Sequence, residues 1–484
     1  MSFNSVSFII FLPLVAWVYF ALPGRLQYLW LFAASLFFYL SGDVRNAAGL
    51  AFCIATTYAA GLFIGKVRGA GRKWAVFLCV AANVSSLLLF RYLLPGSPFA
   101  PLGISFFSLQ AMGYVVDVYR GRTAAEKNPA RYAVFVAFFP TILSGPIQRS
   151  TDLLAQIREG RTFDYDRAHS GLYYLLYGYL LKIVMANQLE PMVEWAYGSY
   201  DEMPGATLLW ATVLFAVQLY CDFAGYSALA TGTAKMLGFD LKANFSQPYF
   251  ASSLRDFWSR WHISLSSWLR DYVYIPLGGS RKGRLRTQIN LLITFLVSGL
   301  WHGGGWNYMA WGVLHGVYRV LENLLPAKFS RGAQGELPDR DGGLPGKRLL
   351  SGAIPSALSR IARALATFAL VDFAWLFFRA ESLGKAVEIL KRIFFSFQFR
   401  EMTYYGSYLL GESRLHLVLM LLGIAAVFAV DFLHERKISV EGLMARKLPA
   451  AARWTVYVAF TLLMLSILAR NYGMAASTFL YQRF

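Results

Sequence analysis

Two histidines, His302 and His315, lie in an uncharged stretch that runs from Thr287 to Tyr318. Imidazole exchanges protons near neutral pH, so a histidine at membrane depth is a candidate general base that could activate a hydroxyl group. A histidine in an apolar run can equally be a core residue whose ring nitrogen bonds a backbone carbonyl. Both interpretations stay open for a lone histidine, and the residues around His302 favour chemistry.

Three consecutive glycines, Gly303 to Gly305, follow His302. Each glycine costs about 1 kcal/mol in a helix interior, and broken backbone at membrane depth is tolerated only where it is buried in protein or lines a cavity. The two histidines are thirteen residues apart, which would leave them on nearly opposite faces of one unbroken helix. A break at the glycines would instead turn both towards one tunnel, where glycine N–H groups are candidate oxyanion donors.

The segment from Ser246 to Lys282 mixes tryptophan, tyrosine, arginine and aspartate, unlike a simple membrane span. Ser253 and Asp256 have the spacing of a capping box that starts a helix. The charged side chains are costly against lipid, so we expect them to pair or to line a wet cleft for a phosphate-bearing donor such as a coenzyme A thioester. An interfacial amphipathic helix is the alternative for the tryptophans. The candidate donor-binding residues here and nearby are Arg255, Asp256, Trp258, Arg260, Trp261, His262, Arg270, Asp271, Gln218, Asp222, Trp301 and Trp306.

Other polar residues within apolar runs have less specific interpretations. Asp222 is either a functional residue or the partner of an ion pair, and the sequence leaves both open. Asp117, Arg120 and Arg149 are interpreted as interface anchors. The cysteines have no spacing typical of a disulfide framework or a zinc site, so we expect core residues, no metal and no bound cofactor. They are Cys53, Cys79 and Cys221.

The composition excludes a soluble protein. The chain is 57% hydrophobic and only 15% charged, whereas a globular domain averages about 45–50% apolar and 25% charged residues. Its mean hydropathy is +0.44. A formal net charge of +19 would suggest nucleic acid as a partner of a soluble protein. In a membrane protein the same charge is typical of cytoplasmic loops next to anionic lipid headgroups, so no nucleic-acid partner is expected.

The charge-free runs predict an all-α, polytopic membrane protein. Four runs before residue 90 and later ones, including 131–148, give about eleven to thirteen spans, besides re-entrant or interfacial helices. Basic connections around 66–73 and 326–350 are placed in the cytoplasm, which puts both termini outside. The predicted regions of this single membrane domain are N-terminal helices (1–96), a core with the catalytic motifs (97–325), a cytoplasmic loop (326–350) and C-terminal helices with an outward tail (351–484).

Several function classes lose support from missing motifs. The chain has no P-loop, no GxSxG and no HExxH, which argues against ATP hydrolysis, a soluble-type serine hydrolase and zinc proteolysis. A polytopic transporter or lipid flippase fits the composition, although no internal repeat supports the inverted-repeat transporter architecture.

Long motifs in a fixed order resemble the membrane-bound O-acyltransferase family, in particular its bacterial alginate O-acetyltransferase-like branch. They are PLGISFFSLQAMGYVVDVYRG, FFPTILSGPIQR, QLYCDFAGYSALATGTAKMLGF, NFSQPYF, LRDFWSRWHISLSSWLRDYVYIPLGGSRKG, SGLWHGGGWNYMAWGVLHG and FLYQRF. The resemblance implies a multi-helix enzyme with an internal tunnel. It implies that His302 is the catalytic histidine and His315 a second motif histidine, and that Tyr481 carries the acyl group covalently.

The resemblance also implies substrates and partners. The acyl donor would be cytoplasmic acetyl-CoA, and the acceptor an extracytoplasmic polysaccharide, alginate-like or related, reached through a separate SGNH-like acetyltransferase. The protein would sit among the lipids of the inner membrane. Two residues depart from the alginate branch: Gln482 replaces a phenylalanine of the C-terminal motif, and Thr141 resembles the branch that adds D-alanine to teichoic acid. Transfer of D-alanine or another acyl group to a cell-wall polymer is therefore the alternative.

Overall fold

The computed structural model describes residues 1–94, 97, 99–325, 356–400 and 414–470, and the regular elements in these ranges are helical. The α-helices are α1 Val6–Ala21, α2 Gly24–Leu40, α3 Ala47–Lys66, α4 Ala70–Leu88, α5 Ile104–Tyr119, α6 Pro129–Ala137, α7 Ala155–Arg158, α8 Tyr165–Tyr179, α9 Asn187–Gly198, α10 Gly205–Met236, α11 Leu254–Arg260, α12 Ile263–Leu269, α13 Arg284–His302, α14 Trp306–Leu324, α15 Ser356–Arg379, α16 Leu383–Phe395, α17 Arg414–Glu435, α18 Val440–Lys447 and α19 Ala450–Arg470. Short 3-10 segments lie at Val44–Asn46 and Pro248–Phe250, and π-helical segments at Leu89–Leu93, Ser150–Leu154, Leu180–Ala186 and Arg270–Tyr274.

The described helices confirm an all-α membrane chain. Five of them are long and apolar enough to cross a bilayer: Val44–Lys66, Ala70–Leu93, Gly205–Met236, Leu358–Arg379 and Val418–Glu435. Two shorter apolar helices, Val6–Ala21 and Ala450–Ser466, accompany them. The expected total of eleven to thirteen spans stays a prediction, because shorter and more polar helices also pass through the bundle.

Helix α10 forms the centre of the bundle. Most of its 32 residues are buried, and the helix formed by α8, the π-helical segment 180–186 and α9 packs along it. Glycines allow the close approach: a Cβ on Gly178 would lie 2.8 Å from the carbonyl oxygen of Gly225. Small residues at such contacts let helix backbones meet inside a membrane, where the lipid is as apolar as leucine.

Two expectations about the core are wrong. The run 131–148 is not a span, because α6 ends at Ala137 and buried turns follow. Asp117 and Arg149 are not interface anchors: Asp117 is 2% exposed and accepts a hydrogen bond of 2.8 Å from the Tyr272 hydroxyl, and the guanidinium of Arg149 lies over the Tyr272 ring. The three cysteines are buried, as expected.

Three of the predicted features lie outside the described residues. They are the loop 326–350, the tail after residue 470 and, within that tail, Tyr481.

Candidate functional site

The three glycines form a turn between two neighbouring helices. α13 ends at His302 and α14 begins at Trp306, so the chain reverses at the predicted break. The turn needs small residues because other side chains fill the space: a Cβ on Gly304 would lie 2.9 Å from the ring of Tyr92. The turn thereby places His302 at a helix end beside a second helix, α14.

The reversal brings both histidines onto the same tryptophan. His302 is 2% exposed and His315 is 0% exposed. The ring centre of Trp311 lies 4.9 Å from that of His302 and 5.0 Å from that of His315. The ring centre of Trp301 lies 4.7 Å from that of His302. The break therefore brings both histidines into contact with one residue, and a tunnel between them stays a prediction.

His315 is held as a hydrogen-bond donor. The indole Nε1 of Trp258 lies 3.3 Å from Nδ1 of His315, and an indole nitrogen can only donate. Nδ1 therefore accepts, and the proton of the neutral imidazole sits on Nε2. Nε2 is buried and has no hydrogen-bond partner among the described residues.

His262 is held in the opposite tautomer. It precedes α12 in a left-handed conformation, with φ 44°, and its Nδ1 lies 3.2 Å from Oδ1 of Asn244. The backbone N–H and the hydroxyl of Ser264 bond the same atom, which identifies it as the amide oxygen, an acceptor. Nδ1 of His262 must donate, so Nε2 carries the lone pair that a general base needs. The ring centre of His262 lies 5.9 Å from that of Trp301, which also contacts His302.

Two residues that the sequence did not single out hold the end of α13. Arg91 donates to the backbone oxygen of His302 and to the hydroxyl of Ser105. The Tyr92 hydroxyl donates to the backbone oxygen of Leu300. The last carbonyls of a helix have no partner within it, so these donors satisfy them. The indole of Trp301 adds a bond of 3.1 Å to the backbone oxygen of Ser105.

The charged residues of the predicted donor cleft form several separate groups. Arg255, on α11, reaches the end of α14, where its guanidinium donates to the side chain of Asn323 over 2.8 Å. Arg260 joins α11 to α17 because it bonds both Asp256, at 2.7 Å, and Glu435, at 2.5 Å. The prediction that these side chains pair with one another holds for Asp256 and Arg260, and Ser253 caps the helix as the capping box predicts.

The remaining donor candidates lie further apart. Arg270 bonds its neighbour Asp271, which also accepts from Arg149 at 3.0 Å. Trp306 is 71% exposed at the start of α14. Trp261 is buried against Trp375, with ring centres 5.1 Å apart, and is not an interfacial anchor. Donor binding by any of these residues stays a prediction.

Asp222 pairs with a residue that the sequence analysis did not name. Its carboxylate contacts the ammonium of Lys182, from the π-helical segment 180–186, and both side chains are at most 5% exposed. Gln218, one turn before Asp222 on α10, is buried as well. Of the two interpretations of Asp222, the ion pair is the one that the structure contains.

A cavity of about 320 Å³ reaches the residue that holds His262. Asn244 and Gln247 line it together with side chains from α8, α10, α17 and α18. The lining combines tyrosines with charged groups: Tyr173, Tyr174, Tyr177, Tyr220, Lys235, Asp240, Asp431 and Glu441. The rings of His262, His302, His315, Trp301, Trp311 and Trp375 form what we call the histidine and tryptophan cluster. Because Asn244 lines the cavity and also contacts His262, a polar opening lies one residue away from this cluster.

Comparison with known proteins gives this geometry a family. The profile of the MBOAT, membrane-bound O-acyltransferase family matches residues 104–331, which include the three histidines of the cluster. The chain is 34% identical to the probable alginate O-acetylase of Azotobacter vinelandii over 416 residues, which cover 81% of this chain and 78% of that protein.

Relatives with other names are similar over different lengths. The chain is 31% identical to the peptidoglycan O-acetyltransferase of Helicobacter pylori, over 80% of this chain and 79% of that protein. It is 29% identical to the teichoic acid D-alanyltransferase of Streptococcus thermophilus, over 46% of this chain and 56% of that protein. The chain belongs to the membrane-bound O-acyltransferase family and is a multi-pass membrane O-acyltransferase.

Proposed function

We propose that this protein takes an acetyl group from cytoplasmic acetyl-CoA and moves it across the membrane, where it serves for the O-acetylation of an extracytoplasmic polysaccharide. The observation that carries the proposal is the buried pair of imidazoles, His262 and His302, which both contact Trp301, in a chain similar to O-acetylases over about four fifths of its length. The enclosed, aromatic surroundings would protect a thioester from water.

His302 acts in this mechanism as the general base, or orients the thioester. The base takes the proton of the attacking hydroxyl, and the hydroxyl oxygen bonds to the thioester carbonyl carbon. The carbon–sulfur bond then breaks, and the leaving thiolate takes the proton from the imidazolium. His262 is a second candidate for the base because Asn244 keeps the lone pair on its Nε2.

Tyr481 is the proposed acyl carrier between the buried site and the outside. A phenol with a pKa of about 10 is mostly protonated at neutral pH, so it needs a base to become a nucleophile. From Tyr481 the acetyl group would pass to an SGNH-like acetyltransferase partner in the extracytoplasmic space, or directly to the polysaccharide. The protein would lie in the inner membrane with both termini outside.

D-Alanyl transfer to a cell-wall polymer is the second candidate. It is favoured by the cavity next to Asn244, which offers the carboxylates of Asp431 and Glu441 among tyrosine rings. A D-alanyl thioester carries an ammonium group that such a lining binds through charge and cation–π contacts, whereas an acetyl thioester carries none. Similarity to teichoic acid D-alanyltransferases supports the same candidate.

The test uses purified protein in nanodiscs with radiolabelled acetyl-CoA. We expect wild-type protein to retain label, and His302→Ala to retain none while it stays folded in the membrane. Tyr481→Phe should also retain no label, because the hydroxyl that accepts the acetyl group is gone. Retention of label by His302→Ala would contradict the role of His302. No turnover of acetyl-CoA, together with turnover of a D-alanyl carrier thioester, would favour the second candidate.

A further inference from the structure

Three buried N–H groups that pack around Trp311 have no hydrogen-bond partner among the described residues. They are Nε2 of His315, Nε1 of Trp311 and Nε1 of Trp375. All three side chains are 0% exposed. Leaving a buried donor unpaired is unfavourable unless a ligand or water accepts from it, and here three such side chains pack together.

The three donors belong to one packed group. The rings of Trp311 and Trp375 stack at 5.8 Å with an interplanar angle of 17°. The ring centre of His315 lies 5.0 Å from that of Trp311 and 6.2 Å from that of Trp375. The ring of His302 touches the same group, 4.9 Å from Trp311. The group that carries the unpaired donors therefore contacts the candidate base through Trp311.

None of the three groups can accept a hydrogen bond. An indole nitrogen only donates, and the bond from Trp258 to Nδ1 fixes His315 as a donor at Nε2. A water molecule that accepted from them would need acceptors outside these three side chains for its own two O–H groups. A carbonyl oxygen needs donors alone and gains most from them when it carries negative charge.

We propose that His315, Trp311 and Trp375 bind the carbonyl oxygen of the acyl thioester and stabilise the charge that this oxygen gains during attack. The inference rests on the proposed function and replaces the glycine N–H groups of the turn as oxyanion donors. While the hydroxyl oxygen adds to the carbonyl carbon, the electron pair of the C=O bond moves onto the oxygen. It returns when the carbon–sulfur bond breaks, so the three donors form and break no covalent bond.

The experiment removes one N–H donor at a time and keeps an aromatic side chain at the position. Trp311→Phe and Trp375→Phe should each lower kcat about 10- to 100-fold, less than the loss of a sole oxyanion donor because two others remain. KM for acetyl-CoA should change little. Trp268→Phe is the matched control, because its indole donates to the backbone oxygen of Leu109 over 2.8 Å, away from the cluster. It should keep kcat within about 2-fold.

A second measurement does not depend on turnover. The probe is a ketone analogue of acetyl-CoA with a methylene group between the carbonyl and the sulfur, and its C=O stretching frequency is recorded in nanodiscs. Binding to the wild-type protein or to Trp268→Phe should lower the C=O frequency of the analogue relative to the unbound analogue. The shift should be smaller in Trp311→Phe and in Trp375→Phe, because each lacks one donor. Equal frequencies in all four proteins would overturn the carbonyl site even if kcat falls.

The two measurements separate the proposals. Protein that binds the ketone analogue with the expected shift but transfers no acetyl group would support the carbonyl site and contradict acetyl transfer. If the acetyl analogue does not bind, the same spectrum with the ketone analogue of a D-alanyl thioester decides the carbonyl site. Absence of a tryptophan-dependent shift with both analogues would overturn it.

Discussion

The histidine and tryptophan cluster and the Lys182–Asp222 pair are both polar and buried, but they differ in what they leave unsatisfied. Lys182 and Asp222 are 4% and 1% exposed, and each supplies the charge that the other needs. In the cluster, donors of His315, Trp311 and Trp375 have no partner among the described residues.

That difference distinguishes residues that stabilise the fold from residues that can act on a substrate. A buried ion pair whose members satisfy each other has little left to offer a substrate. Donors that neighbouring rings keep in position and that have no partner among the described residues are available for a ligand. Lys182–Asp222 therefore belongs to the scaffold around α10, and the cluster to the site.

The largest expected effect comes from breaking the ion pair. Lys182→Ala leaves the Asp222 carboxylate buried without its cation, which should cost about 3 to 5 kcal/mol of stability. Thermal unfolding in detergent, followed by tryptophan fluorescence, measures the loss. The apolar double variant Lys182→Met with Asp222→Leu should recover most of it. A double variant that recovers stability but has lost activity would give the pair a role beyond the scaffold.

Removal of the amide that orients His262 should affect chemistry more than stability. Asn244→Leu leaves Nδ1 without an acceptor, so the ring can adopt the tautomer that has no lone pair on Nε2. We expect kcat to fall about 10- to 100-fold, or about 1.4 to 2.8 kcal/mol in the barrier.

Asn244→Asp is the control for that variant. It keeps an acceptor for Nδ1 of His262 and for Ser264, so it should retain more activity than Asn244→Leu. Equal kcat in wild type and Asn244→Leu would exclude a tautomer-dependent role for His262.

The sequence predicted the local part of the site and missed the contacts between distant segments. Gly303 to Gly305 announced a break after His302 because glycine disfavours helix, and α13 ends there. Arg91 donates to the backbone of His302 across 211 residues. In the sequence it only follows an apolar run, and so resembles the end of a span.

The other missed feature was burial inside the protein rather than in the membrane, both of an apolar run and of a charged residue. Apolar runs identify helices by composition, but the membrane, the core and a turn all favour the same residues. The run 131–148 was therefore expected to be a span, although only its first part is helical. Asp117 was expected at the interface because the sequence does not reveal its hydrogen-bond partner, Tyr272, which lies 155 residues further along the chain.

The two ends of the continuous helix Ala70–Leu93, formed by α4 and the π-helical segment that follows it, offer a smaller test of what positions His302. Arg91 donates to the last carbonyl of α13, and Arg72 donates over 2.9 Å to the backbone oxygen of Tyr119, at the end of α5. Both arginines satisfy a helix end, but only Arg91 borders the cluster. Arg91→Ala should lower kcat about 10-fold because a small displacement of a catalytic group is costly, whereas Arg72→Ala should leave kcat within about 2-fold.

Steady-state kinetics with acetyl-CoA distinguishes positioning by Arg91 from a general loss of stability. Arg91→Lys keeps a charged donor and should recover part of the lost kcat, with KM unchanged. Similar losses of kcat in Arg91→Ala and Arg72→Ala would make the Arg91 contact an ordinary helix cap.

The smallest expected effect tests how His315 is kept as a donor. Trp258→Phe removes the N–H that bonds Nδ1, at the cost of one neutral hydrogen bond, about 0.5 to 1.5 kcal/mol. His315 can then carry its proton on either nitrogen, so part of the population loses the Nε2 donor and kcat should fall about 3-fold. Nitrogen-15 spectra of labelled histidine would show the tautomers directly. If Nε2 stays fully protonated in Trp258→Phe, another contact selects the tautomer, and the contrast between a satisfied scaffold and an unsatisfied site would no longer depend on Trp258.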